Sequence, residues 1–316
     1  MTARCCVNCR RARLAGGQRP TVALRATRVG GSLWLGCRVA ALVAALSACA
    51  GAPPSPNPAQ QAALADSQTA ARSLARGELG PARSQYETAL RAAESVEDFQ
   101  LTAAALLNLA LVQARAADPA GAHARLDRIL AAPQRFGPAW VARASARKAL
   151  LLLDVPDLDA ALRWAESAQA ACADPCELGA SLANLRAHVA LQRDDAAQAA
   201  SWAARAAAMT TQPGGAAEQA NALRLLGRAR SRLHQHDEAA QSLAQALAID
   251  RGLGLPERIG LDLFHAAENE QGRARMPAAR DFFERALRVY QAAGLESAAA
   301  VVRTRLAALP AAAGQP

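Results

Sequence analysis

Small and apolar residues recur along the chain at a nearly constant step of about forty positions. Ala82, Tyr86, Ala89 and Leu90 stand at offsets 0, 4, 7 and 8, which share one face of an α-helix. The same offsets recur clearly from Ala239 and Ala279 and more loosely from Ala122, Ala161 and Ala199. The steps between these anchors are 40, 39, 38, 40 and 40 residues. The pattern predicts six copies of one amphipathic helix.

A second small residue stands twelve positions before each anchor and predicts a partner helix. These residues are Ala70, Ala110, Ala149, Ala187, Gly227 and Ala267. Helices approach to about 8–10 Å where the side chains at their crossing are small, so each pair of small positions predicts a pair of helices. One helix pair cannot bury its apolar face alone, and stacked pairs form a solenoid. An irregular helical bundle is the alternative.

These positions resemble the tetratricopeptide repeat (TPR), in which two antiparallel helices cross at small residues. Leu226 and Gly227 also match that family's first-helix signature. The resemblance covers residues 65 to about 290 and implies an all-α, right-handed α-solenoid of about six TPR-like helix pairs. Residues 295–309 would add a C-terminal capping helix, so the solenoid would span 65–309, before a disordered tail at 310–316.

The step of about forty residues exceeds the family's usual length of about 34. We expect the surplus to lie in longer helices and in the connections, which carry Pro and Gly. The connections with such residues are 131–138, 173–179, 211–217 and 252–258.

Composition supports a nearly all-helical chain, and charge argues against nucleic acid as a partner. Aromatic residues make up 3% of the chain, Lys148 is the only lysine, and Ala and Leu favour helices. The net charge is +9, but residues 1–48 hold eight arginines and no acidic residue. The remainder holds 36 − 8 = 28 basic and 27 acidic residues, a net charge of +1.

The basic segment ends in a pattern typical of exported proteins. A ten-residue apolar run at 39–48 follows Arg38 and is far shorter than the roughly 20 residues of a spanning helix. The run ends in Leu46, Ser47, Ala48 and Cys49, which resemble the bacterial lipobox. The resemblance implies a lipoprotein signal peptide at 1–48, cut before Cys49, which then carries the lipids.

Residues 49–64 are rich in proline and predict a flexible tether after the lipid anchor. Ala50 is not aspartate, which by resemblance to lipoprotein sorting favours the outer membrane, with the protein facing the periplasm. The segment before Arg38 is long for a signal peptide and contains Cys5, Cys6 and Cys9. Our hypothesis is that translation begins near Val29.

No catalytic motif is present, and we predict neither a cofactor nor a metal ion. His234, His236 and Asp237 stand at the turn between the two helices of the fifth repeat, where we expect a solvated turn. Cys172 and Cys176 bracket a short connection, and a disulfide between them suits an oxidising compartment. Two packed thiols are the alternative.

In TPR proteins the first helices line a concave face that binds protein segments. Asn108, Arg143 and Arg147 fall where chaperone adaptors of this family clamp a peptide's terminal carboxylate. Ser67 and Ala71 stand at the first-repeat clamp positions and do not match. The candidate groove residues are Asn108, Arg143, Arg147, Asn184 and Arg224.

We therefore expect a lipid-anchored TPR scaffold of the bacterial cell envelope that binds protein partners through its concave groove. Assembly or localisation of an envelope complex, in a pilotin-like or adaptor-like role, is the expected task, and the protein is not expected to be an enzyme. The alternative is an enzyme or small-ligand carrier that uses the solenoid as a shell.

Overall fold

The computed structural model describes residues 56–153, 157–210 and 214–310, which contain fourteen α-helices and no strand. In chain order they are α1 (Pro58–Ala75), α2 (Leu79–Glu94), α3 (Phe99–Arg115), α4 (Pro119–Leu130), α5 (Pro133–Phe136), α6 (Pro138–Leu151), α7 (Leu158–Ala171), α8 (Gly179–Gln192), α9 (Ala196–Met209), α10 (Ala216–Arg232), α11 (His236–Gly252), α12 (Pro256–Gly272), α13 (Met276–Ala292) and α14 (Glu296–Ala308). None of these described helices is long and apolar enough to cross a membrane.

The helices pack as consecutive pairs, and each pair packs on the next. The pairs are α1–α2, α3–α4, α6–α7, α8–α9, α10–α11 and α12–α13, and α14 packs on α13. The predicted all-α solenoid of six helix pairs with a C-terminal capping helix is confirmed. Consecutive first helices also contact each other, whereas no two second helices in the described ranges make comparable contact. The first helices therefore line the concave face of the array.

The small residues lie where the helices of each pair cross. The eleven alanines at the twelve predicted crossing positions are 0% exposed. The twelfth position is Gly227, where an added Cβ atom would lie 2.6 Å from Cγ of Leu243. Because a larger side chain would push the helices apart, these positions set the distance within each pair.

The third and fourth repeats replace large apolar side chains by tryptophans stacked on cations. Ala165 and Ala203 occupy positions that hold Tyr86, Leu126, Leu243 or Phe283 in the other repeats. Beside them, the Trp164 ring lies 4.6 Å from Nζ of Lys148, and the Trp202 ring lies 5.0 Å from Cζ of Arg186. Trp164 and Trp202 also pack against the core clusters that contain Ala165 and Ala203.

The forty-residue step arises differently in different repeats. The helices of the fifth and sixth repeats have 17 residues each, whereas those of the third and fourth have 14. In the middle of the array the surplus therefore lies in the connections. The connection at 131–138 contains α5, a single turn that the sequence analysis did not predict, and its Phe136 packs edge-on against Phe99 at 6.2 Å.

The first helix begins at Pro58, whereas we had predicted that the tether continues to residue 64. Residues 58–64 therefore belong to the solenoid. Asn57 accepts a hydrogen bond from the backbone N–H of Gln60, whose side chain bonds back to the backbone N–H of Asn57. This capping box, followed by a proline, is a strong helix start. The signal peptide, Leu46, Ser47, Ala48, Cys49 and residues 311–316 lie outside the described residues.

Candidate functional site

The five candidate groove residues all lie on first helices, but the structure gives them different environments. Asn108 is on α3, Arg143 and Arg147 are on α6, Asn184 is on α8 and Arg224 is on α10. Asn108, Arg143 and Arg147 are partly exposed, whereas Asn184 and Arg224 are buried. Only the first three are thus accessible to a partner on the concave face.

Arg143 is held between an aromatic ring and a carboxylate. Its guanidinium carbon lies 4.9 Å from the centre of the Trp140 ring. Its Nε donates to Oε1 of Glu177 at 2.9 Å, and its Nη2 lies 2.7 Å from the same oxygen. Stacking and the fork of donors fix the plane of the guanidinium, an arrangement suited to carboxylates.

Arg147 lies one helical turn further along α6 and forms no ion pair or hydrogen bond with any residue that the structure describes. Burial lowers the pKa of its guanidinium, and the neighbouring charge of Arg115 lowers it further, while Glu218 acts in the opposite direction. A partly buried cation without a paired acid is costly, so a carboxylate supplied from outside would stabilise it.

Asn184 joins two first helices. Its Nδ2 donates to the backbone oxygen of Glu218 at 3.1 Å and to the Oε2 atom of Glu218 at 2.9 Å. These bonds orient Glu218, the acid whose charge acts on Arg147. Asn184 is therefore a positioning residue beside the groove and not a direct contact, which corrects our expectation. Its buried Oδ1 atom has no hydrogen-bond partner among the described residues.

Arg224 is also not an accessible groove contact, because two buried aspartates hold it. Its side chain is 5% exposed, and its Nε donates to Oδ1 of Asp262 at 2.6 Å. Its Nη2 pairs with Oδ2 of Asp250, and its Nη1 donates to Asn221 at 3.3 Å. The cluster links α10, α11 and α12, and thus the fifth and sixth repeats.

Asp250 and Asp262 were not among the residues expected from the sequence, although one signal was present. Asp250 continues the buried stripe of Leu243, Ala246 and Leu247, where a charged residue needs a partner. Burial raises the pKa of the Asp262 carboxyl to about 6, although Arg224 opposes this change. Two carboxylates share one cation here, which favours a proton on the pair.

His265, on the same helix, is buried close to this cluster. Its Nδ1 lies 2.8 Å from Oε2 of Glu268. Burial lowers the pKa of His265 to about 4, and the charges of Arg228 and Arg224 act in the same direction. The imidazole is therefore neutral at pH 7.

The structure joins Cys172 and Cys176 by a disulfide, with their Cα atoms 5.3 Å apart. The bond closes the connection between α7 and α8, which also contains a cis peptide bond before Pro175. Cys176 and Leu178 pack against the core of the third and fourth repeats. Oxidation of this pair in the purified protein stays a prediction that a thiol count tests.

The histidines at the turn of the fifth repeat are engaged with protein groups. Nδ1 of His236 lies 3.0 Å from the side-chain oxygen of Asn269, and Asp237 pairs with Arg273. The rings of His234 and His236 meet edge to face at 5.8 Å. Throughout the described ranges, no group of three or more His, Cys, Asp or Glu side chains is placed to hold a metal ion.

Solved structures with similar folds have low sequence identity to this chain. The crystal structure of Rap protein complexed with competence and sporulation factor matches 77% of this chain and 70% of its own, with a TM-score of 0.58 and 12% identity. The APC/C hetero-tetramer Cut9–Hcn1 matches 76% of this chain and 42% of its own, with a TM-score of 0.59 and 14% identity.

A signal-transduction ATPase with a tetratricopeptide-repeat sensor, from Pyrococcus horikoshii, matches 71% of this chain, with a TM-score of 0.57 and 12% identity. The chain spans 34% of the length of that protein. No protein-family model matches the sequence, and neither does any curated protein. The likeness thus establishes the fold, and the fold of this chain is a TPR-like α-solenoid.

Proposed function

We propose that this protein is a lipid-anchored scaffold of the bacterial cell envelope whose concave face binds carboxylate-bearing segments of protein partners. The observation that carries the binding role is Arg147, a partly buried cation without an ion-pair partner in the described structure. Arg115 adds a second positive charge nearby, and Arg143 presents a guanidinium fork on the same helix. A cation without a paired acid, next to a second positive charge, attracts acidic segments.

Two kinds of observation support the rest of the proposal. Two of the similar structures are complexes, one of Rap protein with a competence and sporulation factor and one of Cut9 with Hcn1. The lipobox-like residues Leu46 to Cys49 support export and anchoring at the outer membrane. We propose a role in assembling or localising an envelope complex, pilotin-like or adaptor-like, and no catalytic role.

An acidic probe peptide tests the binding role directly. We expect the full mature protein to bind fluorescein-labelled hexaglutamate amide more tightly than the matched hexaglutamine amide, with affinity falling as salt rises. Arg147→Ala should weaken hexaglutamate binding about tenfold or more, because a charge-assisted bond in a partly buried site is lost. Fluorescence anisotropy measures both affinities.

Arg163→Ala is the matched control, because Arg163 is an exposed arginine on the second helix α7. It should leave hexaglutamate affinity within about twofold of the wild-type value. Equal affinity for the two peptides, or equal losses in the two variants, would contradict binding at the concave face. Anchoring is tested separately, by mass spectrometry of the mature N-terminus with Cys49→Ala as the control.

A further inference from the structure

The carboxylate of Glu177, which lies outside the first helices, already forms an ion pair with Arg143. Glu177 lies in the connection between α7 and α8, one residue after Cys176. Both the Nε and the Nη2 of Arg143 contact its Oε1 atom, at 2.9 and 2.7 Å. A carboxylate therefore sits where a carboxylate of a bound segment would sit, on the same helix as the unpaired Arg147.

Glu177 is anchored on both sides. On the N-terminal side, the Cys172–Cys176 disulfide closes the connection. On the C-terminal side, Leu178 packs against the core of the third and fourth repeats. The closed loop ends at Cys176, directly before Glu177, and so restricts the positions that the Glu177 backbone can adopt. This restriction raises the effective concentration of the Glu177 carboxylate at Arg143.

We propose that Glu177 is an internal occupant of the carboxylate site at Arg143, and that the Cys172–Cys176 disulfide holds it there. Reduction of the disulfide releases the connection and makes Arg143 available to an acidic segment of a partner. The groove is then self-blocked in its oxidised form and more open in its reduced form. This inference rests on the proposed function, because it concerns the same concave face.

The redox step needs a dithiol reductant. Its thiolate attacks one sulfur of the disulfide, the second thiol of the reductant resolves the mixed disulfide, and the reductant leaves as its own disulfide. Two electrons and two protons are transferred, so that Cys172 and Cys176 become thiols. Both cysteines are partly exposed, which allows access.

The expected effect is moderate, because the pair is not buried. The side chains of Arg143 and Glu177 are 39% and 55% exposed. Exposed ion pairs contribute little, which makes Glu177 easy to displace. We expect Glu177→Gln to raise the affinity for hexaglutamate amide roughly two- to fivefold. Reduction of the wild-type protein should raise it in the same direction.

The decisive measurement compares two proteins, each in its oxidised and reduced state. Hexaglutamate amide is titrated by anisotropy into wild-type and Glu177→Gln protein, each with and without dithiothreitol, after a count of free thiols. We expect reductant to raise the wild-type affinity and to leave that of Glu177→Gln unchanged, because the competing carboxylate is already gone. Asp174→Asn, which removes an equal charge from the same connection, is the control and should behave as wild type.

Equal affinities for wild type and Glu177→Gln, or two free thiols before reduction, would overturn the proposal. NMR of the Arg143 Nε–Hε group without any peptide separates the two possible failures. If its signal shifts in Glu177→Gln and on reduction while no protein binds the peptide, the contact exists and the proposed function is wrong. If peptide binds but the signal never shifts, the internal occupant is wrong and the function stands.

Discussion

Gly227 shows how single residues set the distance between paired helices. An added Cβ atom would lie 2.6 Å from Cγ and 2.9 Å from Cδ2 of Leu243, and 3.2 Å from the backbone oxygen of Ala239. The Leu243 side chain is buried and the Ala239 oxygen belongs to the backbone, so the paired helices must shift to accept a methyl group. The small positions are thus spatial requirements and not only a result of an alanine-rich composition.

We expect Gly227→Ala to lower the free energy of unfolding by about 1 kcal/mol. Alanine favours a helix interior over glycine by about 1 kcal/mol, but overpacking costs about 1–3 kcal/mol. Gly252→Ala is the control, because nothing lies within 4 Å of its added Cβ atom, and it should leave stability unchanged or raise it. Urea titration measures both values, and stabilisation by both substitutions would contradict the crossing argument.

At the scale of elements, the turn from the first to the second helix of a repeat contains a residue in the left-handed region. This residue is Gly77 in the first repeat, and the four others that the structure describes are Ala117, Asp194, His234 and Ala274. Only glycine adopts this conformation without strain. Among the described turns of this kind, four therefore hold this conformation with a side chain that disfavours it.

Ala274→Gly is expected to stabilise the protein by about 0.5–1 kcal/mol, because the φ of Ala274 is 60° and glycine removes the steric cost. Ala204→Gly, the same substitution at an exposed position inside α9, should destabilise it by about 1 kcal/mol. Thermal unfolding followed by circular dichroism measures both. Loss of stability in both variants would show that this turn is not strained.

Helix pairing could be predicted from the sequence because it depends on spacing, which is a local property. The six anchors and their partners locate every crossing, and residues 295–309 locate α14. The predicted solenoid begins seven residues after the start of α1, because the prolines around Asn57 favour a tether, whereas the capping box at Asn57 starts a helix there. The α5 turn depends on contact between Phe136 and Phe99, 37 residues apart, and repeat spacing carries no information about it.

The candidate site was predicted less completely, because the pairing of charges depends on tertiary contacts. Helical register placed Arg143, Arg147 and Arg224 on first helices. It could not show that Arg224 is enclosed by Asp250 and Asp262, which come from two other helices. Nor could it show that Glu177 reaches Arg143 across 34 residues of sequence.

At the scale of the whole array, two buried groups in the last repeats give opposite dependences on pH. The pKa of Asp262 is raised to about 6, so the stability it contributes is complete below its ordinary value of about 3.9 and is lost as pH rises through 6. The pKa of His265 is lowered to about 4, so its contribution is complete above about 6.5 and is lost as pH falls through 4. The two effects oppose each other between these limits.

We therefore expect wild-type stability to change little between about pH 4 and 6.5. A variant that lacks one of the two groups should show the pH dependence of the group that remains. Asp262→Asn should lose stability as pH falls through this range, by on the order of 2–3 kcal/mol. His265→Gln should lose a similar amount as pH rises. Urea titrations at several pH values measure these slopes.

Asp281→Asn removes an exposed aspartate from α13 and should keep the wild-type profile. Parallel profiles for all four proteins would show that Asp262 and His265 do not titrate as their burial predicts. Asp250 and Arg224 remain as a one-to-one pair in Asp262→Asn, so the variant leaves no unpaired cation in the interior.

The stacked tryptophans of the middle repeats have an optical consequence. Trp140, Trp164 and Trp202 all lie in the third and fourth repeats, and Trp34, the fourth of the chain, precedes Cys49. The chain's two tyrosines, Tyr86 and Tyr290, lie in the first and sixth repeats. In a chain that begins at Cys49, indole emission therefore reports on the centre of the array and phenol absorbance on its ends, so the two signals compare the melting of these regions without any added label.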